Sequence, residues 1–246
     1  MDGLDQGLIQ LATRLSTQSA ERRLETVIEA GLGELVLTTS FGLEDQALTH
    51  MIMERRLPVR FVTLDTGRLF PETYEVWERT EARYGLKIAA FAPEAASVAD
   101  LVATDGVNGF HRSVAARERC CGARKLAPLA RALADASVWV SGLRAEQSPA
   151  RSRTPILERD ARFGLLKLNP ILDWSRERLV DFIAVEEIPY NPLHDQGFAS
   201  IGCAPCTRAL KLGEPERAGR WWWEKDGAKE CGLHPADPVR LDAVPA

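Results

Sequence analysis

The chain has 246 residues, of which 45% are hydrophobic and 27% charged, a composition typical of a globular protein. Its formal net charge of −4 argues against a general nucleic-acid binder, which usually carries a basic excess. No apolar stretch approaches the roughly 18 residues needed to span a bilayer, and the first residues lack the pattern of a secretory leader. We therefore expect a cytoplasmic protein with no membrane or nucleic-acid partner; its oligomeric state, a homo-oligomer included, stays open.

Short apolar runs alternate with amphipathic segments, which predicts an α/β fold with a mostly parallel central sheet flanked by helices. The runs are rich in aliphatic and β-branched residues, as in buried parallel strands. In chain order, strands are predicted at residues 35–39, 59–64, 86–91, 137–141 and 165–168. Helices are predicted from Leu43, from Pro71, over 112–134 and over 174–187.

The C-terminal part of the chain has a different character. No strand is predicted after residue 169, and from Ile188 onward Pro and Gly recur so often that we expect an irregular, mobile segment. No internal repeat or long linker divides the rest. The prediction is one α/β domain over residues 1–210 and a C-terminal segment over residues 211–246.

Polar loops follow the first two predicted strands. The first, Ser40-Phe-Gly-Leu-Glu-Asp45, leads directly into a helix, so Gly42 permits a tight turn and the helix N-terminus offers N–H groups to an anion. A simple connection capped by Ser40 explains this loop equally well. The second loop places Asp65 at the same carboxyl edge of the sheet, where open parallel sheets bind ligands. The two loops together favour a nucleotide site.

The five cysteines are an odd number and two are adjacent, so a secreted disulfide framework explains them poorly. Cys120 and Cys121 lie in the long predicted helix, and Cys203-Ala-Pro-Cys206 is a C-x-x-C turn. Zinc usually takes its ligands from such turns, whereas adjacent cysteines on a helix point about 100° apart. A four-iron cluster offers separate metal corners, so an iron–sulfur site is favoured over zinc. Buried structural thiols or a redox-active C-x-x-C explain only part of the set.

Cys231 stands apart from the other four cysteines, in Lys229-Glu-Cys-Gly-Leu-His234. Lys229 or His234 favours the thiolate of this cysteine, while Glu230 opposes it. An unpaired cysteine is often inert. In a polar setting near the end of the chain, Cys231 is nevertheless a candidate nucleophile.

Two of the candidate anion-binding residues are placed by the predicted elements. Arg144 follows the fourth strand and so reaches the same edge of the sheet as a donor for phosphate or sulfate; a surface salt bridge is the alternative. Lys125 lies four residues after Cys121, one helical turn along, within reach of both a cluster and an anion.

Two further arginines, Arg217 and Arg220, precede the run Trp221-Trp-Trp223. Core packing accounts for at least one of these rings, and exposed members would form a docking surface for a partner.

These motifs, in this order, resemble those of the assimilatory adenylylsulfate reductases, the cluster-bearing branch of the adenylyl- and phosphoadenylyl-sulfate reductases. The resemblance spans nearly the whole chain. It rests on Ser40-Phe-Gly-Leu-Glu-Asp45, Leu64-Asp-Thr-Gly-Arg68, Cys120-Cys121 with Lys125, Leu193-His-Asp-Gln-Gly197, Ser200-Ile-Gly-Cys-Ala-Pro-Cys-Thr207, Gly219-Arg-Trp-Trp-Trp223 and Lys229-Glu-Cys-Gly-Leu-His234.

The resemblance implies an adenine-nucleotide α-hydrolase-like fold and an oxidoreductase of sulfate assimilation and cysteine biosynthesis. It implies Cys231 as the catalytic thiol and a [4Fe-4S] cluster on the other cysteines, Cys120, Cys121, Cys203 and Cys206. The expected reaction is the thioredoxin-dependent reduction of adenylylsulfate (APS) to sulfite and AMP, through an S-sulfocysteine at Cys231. Expected around the substrate are Ser40, Gly42, Asp65, Lys125, Arg144, Arg217, Arg220 and His234.

Three other interpretations remain. Phosphoadenylylsulfate (PAPS) reductases keep the C-terminal cysteine but typically lack the Cys-Cys and C-x-x-C pairs, so the pairs point to APS. In a tRNA-thiolating enzyme of similar fold, the first loop would read more like Ser-Gly-Gly-x-Asp-Ser. The non-enzyme alternative is a Cys₄ zinc module, for which the acidic balance speaks against a nucleic-acid partner.

Overall fold

A computed structural model of the chain describes residues 3–224 and the backbone of residues 239–240. Within those residues, seven strands form a single sheet. They are β1 (Leu35–Thr39), β2 (Val59–Leu64), β3 (Ala89–Phe91), β4 (Val138–Val140), β5 (Leu157–Asp160), β6 (Leu165–Leu168) and β7 (Val239–Arg240). Their spatial order is β3-β2-β1-β4-β6-β5-β7; β3 through β6 in that order pair in parallel, and β5 pairs antiparallel with both of its neighbours.

Helices cover both faces of the sheet. The α-helices of the described chain are α1 (Gly3–Ser16), α2 (Ala20–Glu29), α3 (Leu43–Glu54), α4 (Pro71–Tyr84), α5 (Ala95–Asp105), α6 (Val114–Cys121), α7 (Ala127–Ala132) and α8 (Arg176–Val185). A π turn, Gly122–Leu126, joins α6 to α7. Short 3₁₀ turns lie at Gly109–His111, Ala145–Gln147, Pro192–Gln196 and Ala204–Cys206.

Successive side chains of β1 alternate between the two faces of the sheet, and both faces are buried. Leu35 and Leu37 pack in the larger hydrophobic cluster with apolar residues of α1, α2, α3 and α8. Val36, between them, packs with Leu129 and other residues around α7 on the opposite face. Successive side chains of a strand point to opposite faces, so a strand covered on both sides is apolar throughout. This is why the apolar runs identify these strands.

The predicted α/β fold with a mostly parallel sheet is confirmed, and β1, β2 and β6 have the predicted bounds. The predicted strands at 86–91 and 137–141 are shorter, at Ala89–Phe91 and Val138–Val140. At the first of these, Gly85 ends α4 in the left-handed region, with φ 62°. The Ile88 N–H then donates to Glu81 Oε1 at 2.8 Å, so it is not available to a neighbouring strand.

β5 and β7 were not predicted, and β7 shows that the prediction of no strand after residue 169 was wrong. β5 was missed because three of its four residues are charged, and β7 because a two-residue strand has no pattern. Glu158 of β5 forms an ion pair of 2.8 Å with Lys167 of β6, and both side chains are buried. A charged residue can occupy a buried strand when a neighbouring strand supplies its counter-ion.

The long helix predicted over 112–134 is interrupted. It starts at Val114, where the Ser113 hydroxyl accepts the Ala116 N–H, and it widens into the π turn directly after Cys121. The helix predicted over 174–187 is α8, capped by Ser175. None of the described helices is long and apolar enough to span a membrane.

Candidate active site

A cleft of about 180 Å³ opens at the carboxyl ends of β1, β2 and β4. The chain runs outward from β1 through β2 to β3 on one side and continues through β4 on the other, so β1 and β4 flank a switch point of the sheet. Open α/β sheets bind ligands in the crevice at such a point. The cleft therefore lies where the fold predicts a ligand site.

The first polar loop forms one wall of this cleft, and a carboxylate fixes its shape. Asp45 Oδ2 accepts both the N–H and the hydroxyl of Ser40, each at 2.7 Å. The left-handed residue of the turn is Phe41, at φ 60°, while Gly42 has φ −71° and caps α3. The expected turn is present, but Phe41 makes it, with a ring that is buried and stacked on Trp77 at 5.4 Å.

Two carboxylates occupy the first turn of α3, where the helix N-terminus stabilises negative charge. Burial raises the pKa of Asp45 to about 6, although the two hydrogen bonds from Ser40 oppose this shift; neighbouring Glu44 adds to it. An anion bound at the N-terminus of α3, as the sequence predicts, would therefore lie beside the acidic side chains of Glu44 and Asp45.

The raised pKa of Asp45 predicts a pH effect on folding. The folded state holds this proton between about pH 4 and 6 and the unfolded state does not, so the contribution of Asp45 to stability falls as pH rises through that range. Asp45→Asn removes the titration. In urea unfolding from pH 4.5 to 7.5, we expect wild type to lose stability relative to Asp45→Asn as pH rises. A difference that is constant with pH would contradict the assignment.

Gly142, after β4, lies very close to the first turn of α3 across the cleft. A Cβ there would lie 2.5 Å from Asp45 Oδ1 and 2.8 Å from Glu44 Cβ. We expect Gly142→Ala to lower the free energy of unfolding by about 1–3 kcal/mol, the usual cost of overpacking, and to weaken AMP binding. Urea unfolding and calorimetric titration measure the two effects. Gly7→Ala, with open space around the new methyl, is the control and should not destabilise the protein.

The second polar loop, after β2, packs against Cys203, and Asp65 does not line the cleft as expected. Asp65 accepts the Gly67 N–H at 2.9 Å and the Tyr74 hydroxyl at 2.8 Å, and it is not among the described residues that line the cleft. Thr66 Oγ1 lies 3.3 Å from Cys203 Sγ. The expected contact of Asp65 with substrate is thus not supported by this arrangement, because the loop packs against the cysteines.

Arg144 lies at the predicted edge of the sheet but does not line the cleft. Its side chain is fully buried, and its guanidinium donates to Glu44 and Glu216, which do line the cleft. The salt bridge considered as the alternative is present, although inside the protein. Direct substrate contact by Arg144 stays a prediction; in the arrangement seen here, carboxylates occupy the guanidinium.

The positive charges of the cleft come from three other predicted basic residues and from one that was not predicted. The predicted ones are Lys125, Arg217 and Arg220, and the unpredicted one is Arg151. Arg220 lies 4.7 Å over the Trp221 ring, and its Nε has no hydrogen-bond partner among the described residues. A Cβ at Gly202 would come within 2.3 Å of the Arg220 guanidinium, so glycine is required for this packing.

The four predicted cluster cysteines line one small cavity beside the cleft. Cys121, Cys203 and Cys206 are buried and Cys120 is partly buried; none of the four forms a disulfide. The aromatic and basic side chains that line the same cavity are Arg68, Phe110, Arg117, Arg124, Lys125, Arg220 and Trp221.

The cations around the cavity act most strongly on Cys203. Burial opposes ionisation of this thiol, but Lys125, the Thr66 hydroxyl and nearby arginines outweigh it and lower the pKa of Cys203. Burial raises the pKa of Cys206 to about 12, with a further contribution from Cys203. The cavity thus favours a thiolate at one of its sulfurs.

Whether these residues fit a metal group can be judged from the donor set. Four cysteines outside disulfides around one cavity, with cations close by, match what a thiolate-bound group needs. Within residues 3–224, however, no three His, Cys, Asp or Glu side chains are gathered as the ligands of a single ion would be. The residues fit a cysteine-held group, and the identity of that group stays a prediction.

The cleft and the cysteine cavity are one connected site, because both are lined by Lys125, Arg220 and Trp221. Trp221 is buried, as expected for one ring of the tryptophan run, and Trp222 is 40% exposed. Cys231 and His234 lie outside the described residues.

Sequence reasoning missed several residues of the cleft. Trp139 and Arg151 line it, and so do His194 and Glu216. Trp139 lies inside β4 and carried no polar signal. His194 belongs to a motif that supported the resemblance, so its position in that motif was the available clue.

A doubly wound, mostly parallel sheet with a polar cleft at its switch point defines the class of α/β proteins that bind nucleotides. Residues 34–209 match the phosphoadenosine phosphosulfate reductase domain. The chain therefore belongs to this reductase family, whose members are oxidoreductases.

Relatives from several bacteria support this assignment. An adenosine 5'-phosphosulfate reductase of Allochromatium vinosum is 52% identical over an alignment of 240 positions that covers 94% of each chain. One from Sinorhizobium fredii is 54% identical over 85% of this chain and 83% of its own, and one from Burkholderia cepacia is 43% identical over 91% of each.

Solved structures confirm the expected fold. The phosphoadenylyl-sulfate reductase of Candida auris matches with a TM-score of 0.69 and 25% identity, over 81% of this chain and 95% of its own. Yeast FAD synthetase matches with a TM-score of 0.50 at 17% identity, over 72% of this chain and 58% of its own, which is a likeness of fold alone.

Proposed function

We propose that the chain reduces adenylylsulfate to sulfite and AMP, with thioredoxin or a similar dithiol protein as reductant, in cytoplasmic sulfate assimilation for cysteine biosynthesis. The observation that carries the proposal is the connected site, in which Lys125, Arg220 and Trp221 belong to both the nucleotide cleft and the cysteine cavity. The relatives named as adenosine 5'-phosphosulfate reductases support the choice of substrate.

In the first step, the Ser40 loop and Gly42 hold the nucleotide, and the Cys231 thiolate attacks the sulfur of the sulfuryl group. A bond forms between Cys231 Sγ and that sulfur, while the bond from sulfur to the phosphate oxygen breaks. AMP leaves with the electron pair, and Cys231 becomes S-sulfocysteine. Lys125, Arg217 and Arg220 stabilise the charge that grows on the leaving phosphate. His234, near Cys231 in sequence, is a further proposed donor.

In the second step, one thiolate of the dithiol protein attacks Cys231 Sγ. The sulfur–sulfur bond breaks and sulfite leaves with its electron pair, so that a mixed disulfide remains. The second thiol of the reductant resolves this disulfide and restores Cys231. The dithiol supplies both electrons, so the reaction requires no electron from a group held by the cysteines of the cavity.

We further propose that Cys120, Cys121, Cys203 and Cys206 hold a [4Fe-4S] cluster. Such a cluster, when bound, supplies local charge and a covalent link between two parts of the chain. The chain's own contribution is the link itself: α6 ends at Cys121, and the Cys203 turn packs against the loop after β2. Iron and acid-labile sulfide in protein purified without air would support the cluster. Colourless protein with one zinc would refute it.

The proposed substrate is tested by measuring turnover of adenylylsulfate and phosphoadenylylsulfate with thioredoxin on anaerobically purified protein. We expect adenylylsulfate to be the better substrate by a large factor in kcat/KM. Preference for phosphoadenylylsulfate, the activity of the Candida auris protein by its name, would overturn the proposal. No turnover of either substrate would overturn it as well.

We keep the division into a domain over residues 1–210 and a C-terminal segment over residues 211–246 as a functional one. Among the described residues of the segment, Glu216, Arg217, Arg220 and Trp221 line the cleft of the domain. The proposed role of the segment is to bring Arg217, Arg220 and Cys231 to the nucleotide.

A further inference from the structure

Arg144 joins two parts of the cleft that are far apart in sequence. Its side chain is 0% exposed. Nε donates to Glu44 Oε1 at 2.9 Å, and Nη2 donates to both carboxylate oxygens of Glu216 at 2.8 and 2.9 Å. Glu44 lies in the first turn of α3, and Glu216 directly precedes Arg217 in the C-terminal segment.

We propose that Arg144 is a positioning residue, which bridges Glu44 to Glu216 and thereby holds the turn bearing Arg217 and Arg220 at the nucleotide cleft. The three residues Glu44, Arg144 and Glu216 are called the Arg144 bridge below. The inference rests on the proposed function, because it assigns a role in binding the same anionic substrate.

Electrostatics gives the bridge a second effect. Glu44 and Glu216 both line the cleft, where an anion is proposed to bind. Uncompensated carboxylates there would repel it, and the buried guanidinium between them cancels much of their charge. Gln147 assists, because its amide donates to the same Glu44 oxygen at 3.0 Å.

The backbone from Pro215 to Arg220 couples the position of Glu216 to the positions of Arg217 and Arg220. The Ala218 N–H donates to the Pro215 carbonyl at 2.9 Å, and the Arg220 N–H donates to the Arg217 carbonyl at 3.0 Å. Glu216 lies in the first of these two successive turns, so the backbone between Glu216 and Arg220 has little freedom to change its length. A shift of Glu216 therefore moves both arginines.

The competing interpretation is that Arg144 contacts the substrate directly. Its Nη1 has no hydrogen-bond partner among the described residues and lies 3.7 Å from Glu146 Oε2. On that interpretation, removing the Glu216 charge would free Arg144 and leave anion binding unchanged or improved. The bridge predicts the opposite result.

The test is a double-mutant cycle on AMP affinity, measured by calorimetric titration of the full chain. Arg144→Met and Glu216→Gln should each raise the Kd for AMP, by about tenfold, and the double variant should be no weaker than the worse single one, because contacting residues couple strongly. Glu146→Gln is the matched control. It removes a 59% exposed carboxylate near the same guanidinium and should leave the Kd unchanged.

Two results would overturn the inference: additive effects of the two substitutions, or a Glu216→Gln variant that binds AMP as well as wild type. If Arg144→Met does not fold, as judged by circular dichroism, Arg144→Lys takes its place in the cycle, since it keeps one charge and loses the fork. AMP binding needs no reduction. If the two substitutions are coupled in AMP binding but wild type does not reduce adenylylsulfate, the proposed function alone is refuted. If their effects are additive and wild type is active, the Arg144 bridge alone is refuted.

Discussion

Replacing Cys231 with serine should abolish reduction of adenylylsulfate, with a loss of at least about 10³-fold in kcat, since removing the nucleophile of a covalent enzyme costs up to about 10⁶-fold. A serine hydroxyl of the same size is a far weaker nucleophile at neutral pH than a thiolate. The measurement is sulfite release with thioredoxin, together with covalent labelling by sulfur-labelled adenylylsulfate. Wild type should take up label that reduced thioredoxin releases.

The control for this prediction separates chemistry from binding. Cys231→Ser should bind AMP as wild type does and should keep the colour of the proposed cluster, because the four other cysteines are unchanged. Persistent covalent labelling of Cys231→Ser would show that another residue carries the sulfur, and the assignment of the nucleophile would then be wrong.

Lys125→Ala should lower kcat/KM for adenylylsulfate by about 100-fold or more, the usual effect of removing a preorganised charge from a site of developing negative charge. Lys125 lines both the cleft and the cysteine cavity and lowers the pKa of Cys203. It is therefore placed between nucleotide and cysteines, where the sulfate of the substrate is proposed to lie. Steady-state kinetics with both nucleotides measures the effect.

Two comparisons make the Lys125 prediction specific. The Kd for AMP, which has no sulfate, should change much less than kcat/KM for adenylylsulfate. Lys211→Ala removes an exposed lysine of the C-terminal segment and should keep the activity of wild type. Equal losses of AMP affinity and kcat/KM would place Lys125 at the nucleotide phosphate instead of the sulfate.

The sequence was most informative where a residue's role depends on its neighbours in the chain. Three strands have the predicted bounds because strands buried on both faces are mostly apolar, although β6 also contains Lys167. The grouping of Cys120 and Cys121 with Cys203 and Cys206 also followed from local patterns, and the structure brings all four to one cavity.

Prediction was poorest where a distant partner decides the role of a charged residue. Glu158 concealed β5, because its counter-ion is on the next strand. Arg144 was placed at the correct edge, but its partners Glu44 and Glu216 are 100 and 72 residues away, so its burial was not visible from the sequence. Asp65 was assigned to the cleft because no sequence pattern indicates that its loop packs on Cys203.

The π turn after Cys121 limits how much the length of the chain can vary at this point. A π turn closes its hydrogen bonds from residue i to i+5 and so holds one residue more than a turn of α-helix. Deleting a single residue between Cys121 and Ala127 would let α6 and α7 merge into one regular helix, with the extra residue of the π turn removed. Lys125 would then change its position relative to the adjacent cysteines. Length in this short stretch is therefore as constrained as residue identity, and homologues with the same site should show substitutions here but no insertions or deletions.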